Sequence, residues 1–169
     1  MPACDKFALM KRTLLFLALL FCAHAGFAQK IPAYTAEMLM KRISTHPDTT
    51  YIVNFWATWC GPCVAELHYF DDIQAHYKNK PVKVLLVSFD FKNDYPQKLE
   101  TYISRKGVQP EVVWFSQTNA NEFIPVIENS WSGGLPATMV ARAKNKFHVF
   151  MEKPITDAEV EKVADTALK

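Results

Sequence analysis

Two cysteines separated by two residues, Cys60 and Cys63, are the side chains of this sequence best suited to chemistry. They lie in the stretch NFWATWCGPCVAELHYF, which also contains two tryptophans, a glycine, a proline and an acid. A cysteine pair at this spacing can be a redox dithiol, half of a metal site or a structural disulfide. Thiol reactivity depends on how readily the thiolate forms, and thiolate formation depends on the elements that position the pair.

The elements around the cysteines place the pair at the start of a helix. Residues 51–57 are aromatic and β-branched, which predicts a buried strand. After the cysteines, apolar residues such as Leu67 and Phe70 recur at helical spacing. Because the N-terminus of a helix favours an anion, we expect the pKa of Cys60 to lie below the free value of about 8.5. Cys63, one turn further in, is expected to be the less exposed, resolving thiol.

The other two kinds of cysteine site have less support from the residues. A structural zinc site needs about four ligands, and the sequence has no second cysteine pair at this spacing and no close pair of histidines. A disulfide between such near neighbours closes a very short loop and would constrain the unfolded chain little. A metal site and a purely structural disulfide therefore remain as weaker alternatives to a redox dithiol.

The N-terminal residues have the pattern of an export signal. From Met10, an alternative start to Met1, two basic residues precede an apolar run over residues 14–23, and small residues follow. We expect residues 1–28 to be a cleaved signal peptide and residues 29–169 to be one periplasmic domain. The apolar run is shorter than the roughly 20 residues of a spanning helix, so an uncleaved membrane anchor is the weaker alternative.

Removal of this signal would change the charge and the cysteine content. Lys plus Arg falls from 19 to 16, and Asp plus Glu from 17 to 16. The mature chain would be close to neutral, which does not indicate nucleic acid as a partner. Cys4 and Cys22 would also leave, so that no third thiol could compete for Cys60 and Cys63 in an oxidising compartment.

Strands alternate with helices along the rest of the sequence, without a linker that would divide it. This order predicts one α/β domain with a central sheet between helices. Capping residues predict helix starts at Thr35, at Asp94 and at Thr156. The remaining strands are predicted at residues 82–90, 112–115, 137–143 and 146–153.

Two motifs together resemble the thioredoxin superfamily. WCGPC directly after a strand is one of them, and the sequence GLPAT at residues 134–138 looks like the cis-proline loop of that superfamily. The resemblance implies a thioredoxin-like fold with a central mixed β-sheet between helices. It also implies a cis bond before Pro136, which would place this proline against the cysteine pair. The backbone of Leu135 could then pair with an extended substrate segment. The implied substrate-binding residues are Trp59, Gly61, Pro62, Leu135 and Pro136.

Further features resemble the exported TlpA/ResA-like thiol:disulfide oxidoreductases. Asn54 stands where cytosolic thioredoxins have a buried aspartate, and Glu66 follows Cys63 by three residues. In that group an acid at this position is linked to cysteine reactivity, so Glu66 is expected to accept the proton of Cys63. The alternative is that Glu66 is a solvated surface acid. The predicted strand and helix within Val112–Asn129 resemble the central strand–helix insertion of the same group.

The resemblance implies an extracytoplasmic enzyme that reduces protein disulfides without a cofactor or a metal. Cys60 would attack the substrate disulfide and Cys63 would resolve the mixed disulfide. Gly61 and Pro62 place no cation between the cysteines, which favours a reductase that a membrane electron donor would re-reduce. The protein is expected to be a monomer. The alternative is a copper chaperone of the same fold, for which His148 is a poorly placed candidate ligand.

Overall fold

The computed structural model describes residues 30–169. The expected signal peptide, residues 1–28, lies outside the described residues. Within the described part of the chain, no helix is long and apolar enough to cross a membrane. The elements in chain order are β1 Ala33–Tyr34, α1 Ala36–Thr45, β2 Thr50–Trp56, α2 Gly61–His76, β3 Val82–Ser88, α3 Gln97–Lys106, β4 Glu111–Phe115, α4 Ala120–Ile127, β5 Ala137–Arg142, β6 Phe147–Met151 and α5 Asp157–Leu168.

Six strands form one mixed sheet in the order β1-β4-β3-β2-β5-β6. The pairs among β1 to β4 are parallel, whereas β5 runs antiparallel to β2 and β6 antiparallel to β5. Residues of α2, α3 and α5 share the core on one face of the sheet, and residues of α1 and α4 share the core on the other. The predicted sheet between two layers of helices is therefore confirmed.

The central strand β2 is the element that leads to the cysteines. All seven of its residues are buried, and successive side chains point to opposite faces of the sheet. Trp56 joins the core on the α2 face and Phe55 the core on the α1 face. The same alternation places Asn54 on the α2 face. Because β2 is buried on both faces, the short turn that connects it to Cys60 starts from a fixed point.

The insertion expected within Val112–Asn129 is present as β4 and α4. β4 lies between β3 and the two-residue edge strand β1, so it widens the parallel half of the sheet. Arg42 of α1 donates two hydrogen bonds to the carboxylate of Glu111, at 2.6 and 2.9 Å. This guanidinium, together with the ammonium of Lys83, lowers the pKa of Glu111 to about 2. The ion pair fastens the first helix to the inserted strand.

Two helices start at the predicted caps. The hydroxyl of Thr35 accepts a hydrogen bond from the N–H of Met38 at 3.3 Å. Thr156 and Glu159 form a complete capping box at the start of α5. In both cases the side chain satisfies a backbone donor that a helix start leaves unpaired.

The capping box predicted at Asp94 is wrong. α3 starts at Gln97, after Pro96, and has no side-chain cap. Asp94 lies in the turn that precedes the helix, where its backbone carbonyl accepts the N–H groups of Lys98 and Leu99. Its carboxylate binds the ammonium of Lys98. A backbone carbonyl oxygen therefore accepts the N–H groups at the start of this helix, where the sequence pattern predicted a side-chain acceptor.

Candidate active site

The two cysteines lie where the turn after β2 enters α2. Cys60 is the N-cap residue of α2, and its Sγ accepts a hydrogen bond from the N–H of Cys63 at 3.3 Å. The two residues are joined by a disulfide, with their Cα atoms 5.3 Å apart. Pro62 is tolerated in the first helical turn because an N–H there has no intrahelical partner. The structure thus brings the pair together at the N-terminus of a helix, as predicted.

The two sulfur-bearing side chains differ in access to solvent. Cys60 keeps 7% of its surface exposed, and Cys63 keeps none. Gly61 and Pro62 are exposed, and a Cβ added at Gly61 would meet no atom within 4 Å. The residue next to Cys60 therefore has free space around it, and Cys60 is the more accessible of the two cysteines.

Trp59 and Phe91 form an exposed aromatic patch beside the cysteines. They are 53% and 63% exposed, and their rings stack at a centroid distance of 5.7 Å and an angle of 19°. Phe91 also lines a groove of about 320 Å³ whose walls include Phe89, Trp114 and Phe115. Large apolar side chains that remain exposed next to a reactive group are candidates for a docking surface.

The loop before β5 approaches the same end of β2. Its Leu135–Pro136 peptide bond is cis. β5 pairs antiparallel with β2 so that Ala137 lies opposite Phe55. Pro136, the residue before Ala137, is therefore next to the end of β2 that leads to the cysteines. Pro136 is buried. Leu135 is half-buried and packs on the core cluster that contains both cysteines. The two predicted motifs therefore lie close together, at the end of the sheet where β2 leads into the cysteine turn.

Glu66, one helical turn after Cys63, is buried between α2 and the sheet. Only 3% of its surface is exposed. One carboxylate oxygen accepts a hydrogen bond from Nδ2 of Asn54 and the other accepts one from the N–H of Ile155, each at 2.9 Å. Nδ2 of Asn54 also donates to the hydroxyl of Thr138 at 3.1 Å. The alternative that Glu66 is a solvated surface acid is therefore wrong.

Burial also sets the acidity of Glu66. It raises the pKa of this carboxyl above its ordinary value, and the hydrogen bonds from Ile155 and Asn54 offset only part of the rise. A carboxylate with a raised pKa takes up a proton more readily than an exposed one. The three-residue spacing puts Glu66 on the same face of α2 as Cys63. This combination is what proton transfer from the buried thiol would require.

Asp90, a buried acid after the end of β3, is part of the site that sequence reasoning missed. Its two carboxylate oxygens accept the N–H of Thr58 at 3.1 and 3.2 Å, and they also accept the hydroxyls of Thr58 and Ser88. These bonds tie the turn that carries Trp59 to the neighbouring strand. The position of Asp90 directly after a predicted strand was a signal that could have identified it. The carboxyl ends of adjacent parallel strands lie side by side, which places Asp90 near the turn that follows β2.

The metal-handling alternative has no observation in its favour. In residues 30–169, no three His, Cys, Asp or Glu side chains are grouped so that they could hold a metal ion. Nε2 of His148, the candidate further ligand, lies 2.8 Å from the carboxylate of Glu128. This histidine is therefore in a side-chain contact with Glu128.

The fold and the site together define a class of protein. A cysteine pair at the N-terminus of the helix after the central strand, with a cis-proline before the adjacent antiparallel strand, is the thioredoxin-like arrangement. The family model described as Redoxin matches residues 30–119, which is more than half of the chain. The chain therefore belongs to the Redoxin family.

Individual relatives agree with this assignment. The thiol-disulfide oxidoreductase ResA of Oceanobacillus iheyensis is 54% identical over 39 residues, which are 23% of this chain and 20% of that protein. ResA of Geobacillus kaustophilus is 24% identical over 122 residues, which are 72% of this chain and 64% of that protein. The chain thus spans less than two thirds of the length of these curated relatives. The predicted ResA-like membership of the thioredoxin superfamily is confirmed.

A solved structure supports the fold independently. The crystal structure of a thiol:disulfide interchange protein from Chlorobium tepidum TLS matches with a TM-score of 0.60 at 21% identity. The match covers 74% of this chain and 83% of that chain. It confirms the predicted thioredoxin-like fold.

Replacement of Glu66 by Gln should change how stability depends on pH. Because its pKa is raised on folding, Glu66 binds its proton more tightly in the folded state than in the unfolded state. The free energy of unfolding of the wild type, relative to Glu66→Gln, should be highest below the ordinary pKa of 4.5 and should fall as the pH rises through the folded pKa. Urea unfolding of the oxidised proteins over about pH 4–8 measures this difference.

A matched control is Glu122→Gln, because Glu122 is exposed on α4, on the opposite face of the sheet. The free energy of unfolding of this variant, relative to Glu66→Gln, should fall with rising pH in the same way as that of the wild type. A difference between the wild type and Glu66→Gln that stays constant or grows with pH would contradict the raised pKa.

Proposed function

We propose that this protein is an extracytoplasmic thiol:disulfide oxidoreductase that reduces disulfides of other proteins through Cys60 and Cys63. The observation that carries the proposal is the disulfide at the N-terminus of α2, with one cysteine accessible and the other buried. Membership of the Redoxin family and similarity to proteins named thiol-disulfide oxidoreductase support the reaction class. The export pattern within residues 1–28 supports the location.

The reduced enzyme begins the reaction with a thiolate at Cys60. This thiolate attacks one sulfur of the substrate disulfide, a mixed disulfide forms, and the other substrate sulfur leaves as a thiolate. The N–H of Cys63, which points at Sγ of Cys60, and the positive end of α2 stabilise the negative charge on the attacking sulfur. The first step therefore uses the more accessible of the two thiols.

The buried thiol completes the reaction. Cys63 gives its proton to the carboxylate of Glu66, and the resulting thiolate attacks Sγ of Cys60 and displaces the second substrate thiolate. Two electrons have then passed from enzyme to substrate, and the enzyme carries the Cys60–Cys63 disulfide seen in the structure. A membrane electron donor returns two electrons and Glu66 returns its proton to Cys63, which restores the Cys60 thiolate and the Cys63 thiol.

The proposed substrate-binding surface consists of the cis-proline loop and the aromatic patch, with Gly61 and Pro62 between them in the exposed first turn of α2. Among the described residues, no backbone hydrogen bond involves the N–H or C=O of Leu135, so both groups can pair with an extended segment. The rings of Trp59 and Phe91 would cover apolar side chains near the substrate disulfide. The proposed substrates are therefore proteins with a locally extended segment around the disulfide, bound by a monomeric enzyme.

Replacement of Cys63 by Ser should trap substrates on Cys60, because no second thiol can then release the mixed disulfide. We expect adducts that disappear on reduction when the exported variant is isolated from a bacterial periplasm under conditions that block free thiols. Non-reducing electrophoresis and mass spectrometry identify the captured proteins. Cys60→Ser is the matched control and should capture little, since its remaining thiol is buried.

Two outcomes of the trapping experiment would contradict the proposal in different ways. Equal capture through Cys63 in Cys60→Ser would contradict the assigned order of attack. Absence of adducts with both variants, together with a wild type that does not reduce insulin disulfides, would contradict the oxidoreductase function.

The proposed direction of reaction predicts a low reduction potential. Gly61 and Pro62 provide no cation to stabilise the reduced form, so the potential should lie nearer to thioredoxin's, about −270 mV, than to that of strong oxidants, about −120 mV. Pro62→His adds a donor beside Cys60 and should raise the potential. Equilibration with dithiothreitol buffers, read by thiol alkylation, gives both values. A wild-type potential above about −180 mV would overturn the assignment as a reductase.

Phe91→Ala should slow the reduction of proteins but not of small disulfides, because it removes half of the aromatic patch and leaves the cysteines in place. We expect the second-order rate constant of the pre-reduced enzyme with insulin to fall roughly fivefold, as for an interface anchor. The rate with bis(2-hydroxyethyl) disulfide should stay unchanged. Met38→Ala, at another exposed apolar residue, on α1, is the control. A loss of equal size with both substrates, or in Met38→Ala, would refute the docking role.

A further inference from the structure

Glu152, the first residue after β6, binds the loop that leads to the cis-proline. One carboxylate oxygen accepts the N–H of Gly134 at 2.8 Å, and the other accepts the N–H of Ser132 at 3.0 Å. The hydroxyl of Ser132 also donates to this carboxylate. A single side chain therefore satisfies two backbone donors in the turn just before Leu135. The strand was predicted to run to residue 153, but it ends at Met151, which frees Glu152 for this contact.

The Glu152 carboxylate, in the position that it occupies, leaves no room for a side chain at position 134. A Cβ added at Gly134 would lie 2.6 Å from Oε1 of Glu152, which is far inside the van der Waals contact distance. Gly133, with φ of +90°, needs glycine for its backbone conformation, whereas Gly134 is not among the glycines with positive φ. A side chain at position 134 would therefore displace the Glu152 carboxylate from this loop.

The same loop is also held from its other side. Nε1 of Trp131, a residue with 4% exposure, donates to the C=O of Gly134 at 2.9 Å. Both backbone polar groups of Gly134 are thus bonded to the protein itself. Glu152 is exposed; desolvation raises the pKa of its carboxyl, but the hydrogen bonds from Ser132 and Gly134 outweigh this effect and the net pKa is lowered. The hydrogen bonds are therefore made to an ionised carboxylate, which strengthens them.

We propose that Glu152 is a positioning residue for substrate binding. It holds the turn of residues 132–134 so that the N–H and C=O of Leu135 are presented at a fixed place to an extended polypeptide segment beside the substrate disulfide. The inference rests on the proposed oxidoreductase function. It states that Glu152 fixes the position of the loop that would bind the polypeptide substrate. Glu152 itself does not touch the reacting sulfur atoms.

A purely structural role for Glu152 leads to a different expectation. Loss of a contact that only stabilises the fold would lower the reactivity of the cysteines with every disulfide, or with none. Loss of a contact that positions the Leu135 backbone lowers the rate only for substrates that pair with that backbone. Insulin, with polypeptide around its disulfides, and bis(2-hydroxyethyl) disulfide, which is uncharged and has no peptide groups, separate the two roles.

The test is a double-mutant cycle of Glu152→Ala and Gly134→Ala in the full mature chain, chemically reduced beforehand and mixed with each disulfide in single-turnover experiments. Glu152→Ala removes the carboxylate, and Gly134→Ala pushes it away. Each should lower the second-order rate constant for insulin roughly three- to tenfold, which is the effect of losing about one hydrogen bond between the Leu135 backbone and the substrate. The double variant should be no slower than the slower single variant, because both changes disrupt the same interaction between Glu152 and the turn of residues 132–134. All three should react normally with bis(2-hydroxyethyl) disulfide.

Controls keep the result interpretable. Glu122→Ala removes an exposed glutamate of α4 whose side-chain hydrogen bond is to Asn119 and should change neither rate. If Glu152→Ala fails to fold, Glu152→Gln decides instead, since its single carbonyl oxygen should preserve part of the insulin rate and all of the rate with the small disulfide.

The outcomes distinguish this inference from the function on which it rests. Equal losses with both substrates, losses that multiply in the double variant, or no loss in Glu152→Ala would each overturn the role of Glu152. A wild type that reduces neither disulfide would overturn the oxidoreductase function itself.

Discussion

A buried carboxylate joins three separate parts of this molecule, and the candidate site depends on it. Glu66 on the helix that carries the cysteines accepts one hydrogen bond from Asn54 on the central strand and one from the N–H of Ile155, just before the last helix. A buried carboxylate without partners destabilises a fold strongly, whereas one whose oxygens both have donors is tolerated. The helix, the sheet and the C-terminal helix must therefore be in register for the acid to be accommodated. That same register places the disulfide at the open end of the central strand.

Three carboxylates each bind a different segment of the candidate site. Glu66 fastens the cysteine helix, Asp90 fastens the turn that carries Trp59, and Glu152 fastens the loop before the cis-proline. In each case the acid accepts at least one backbone N–H from a segment without regular structure. Such segments have few repeating hydrogen bonds of their own, so their position depends on individual side chains. The reactive surface is thus made of loops, but each loop is bonded to a carboxylate in or beside the regular elements.

The elements and the cysteine pair could be predicted from the sequence because their signals are local. A capping residue, an apolar period and a CxxC spacing lie within a few residues of one another, as at Thr156 and at Cys60. The failure at Asp94 has a local cause too, since backbone donors there bind a carbonyl oxygen rather than the predicted side chain. The burial of Glu66 was beyond local reasoning. Its partners lie 12 and 89 residues away along the chain, and only the pairing of distant strands brings them to it.

The connection between β6 and α5 has a consequence for how the site comes into being. This short segment carries Glu152, which bonds the cis-proline loop, and the N–H of Ile155, which bonds Glu66. Ile155 lies 89 residues after Glu66, so neither contact can form before the chain extends through this segment. Without it, the cysteine helix lacks the N–H that binds its buried acid, and the cis-proline loop lacks the carboxylate that binds its turn. The surroundings of the disulfide therefore depend on the C-terminal segment as much as on the CxxC sequence itself.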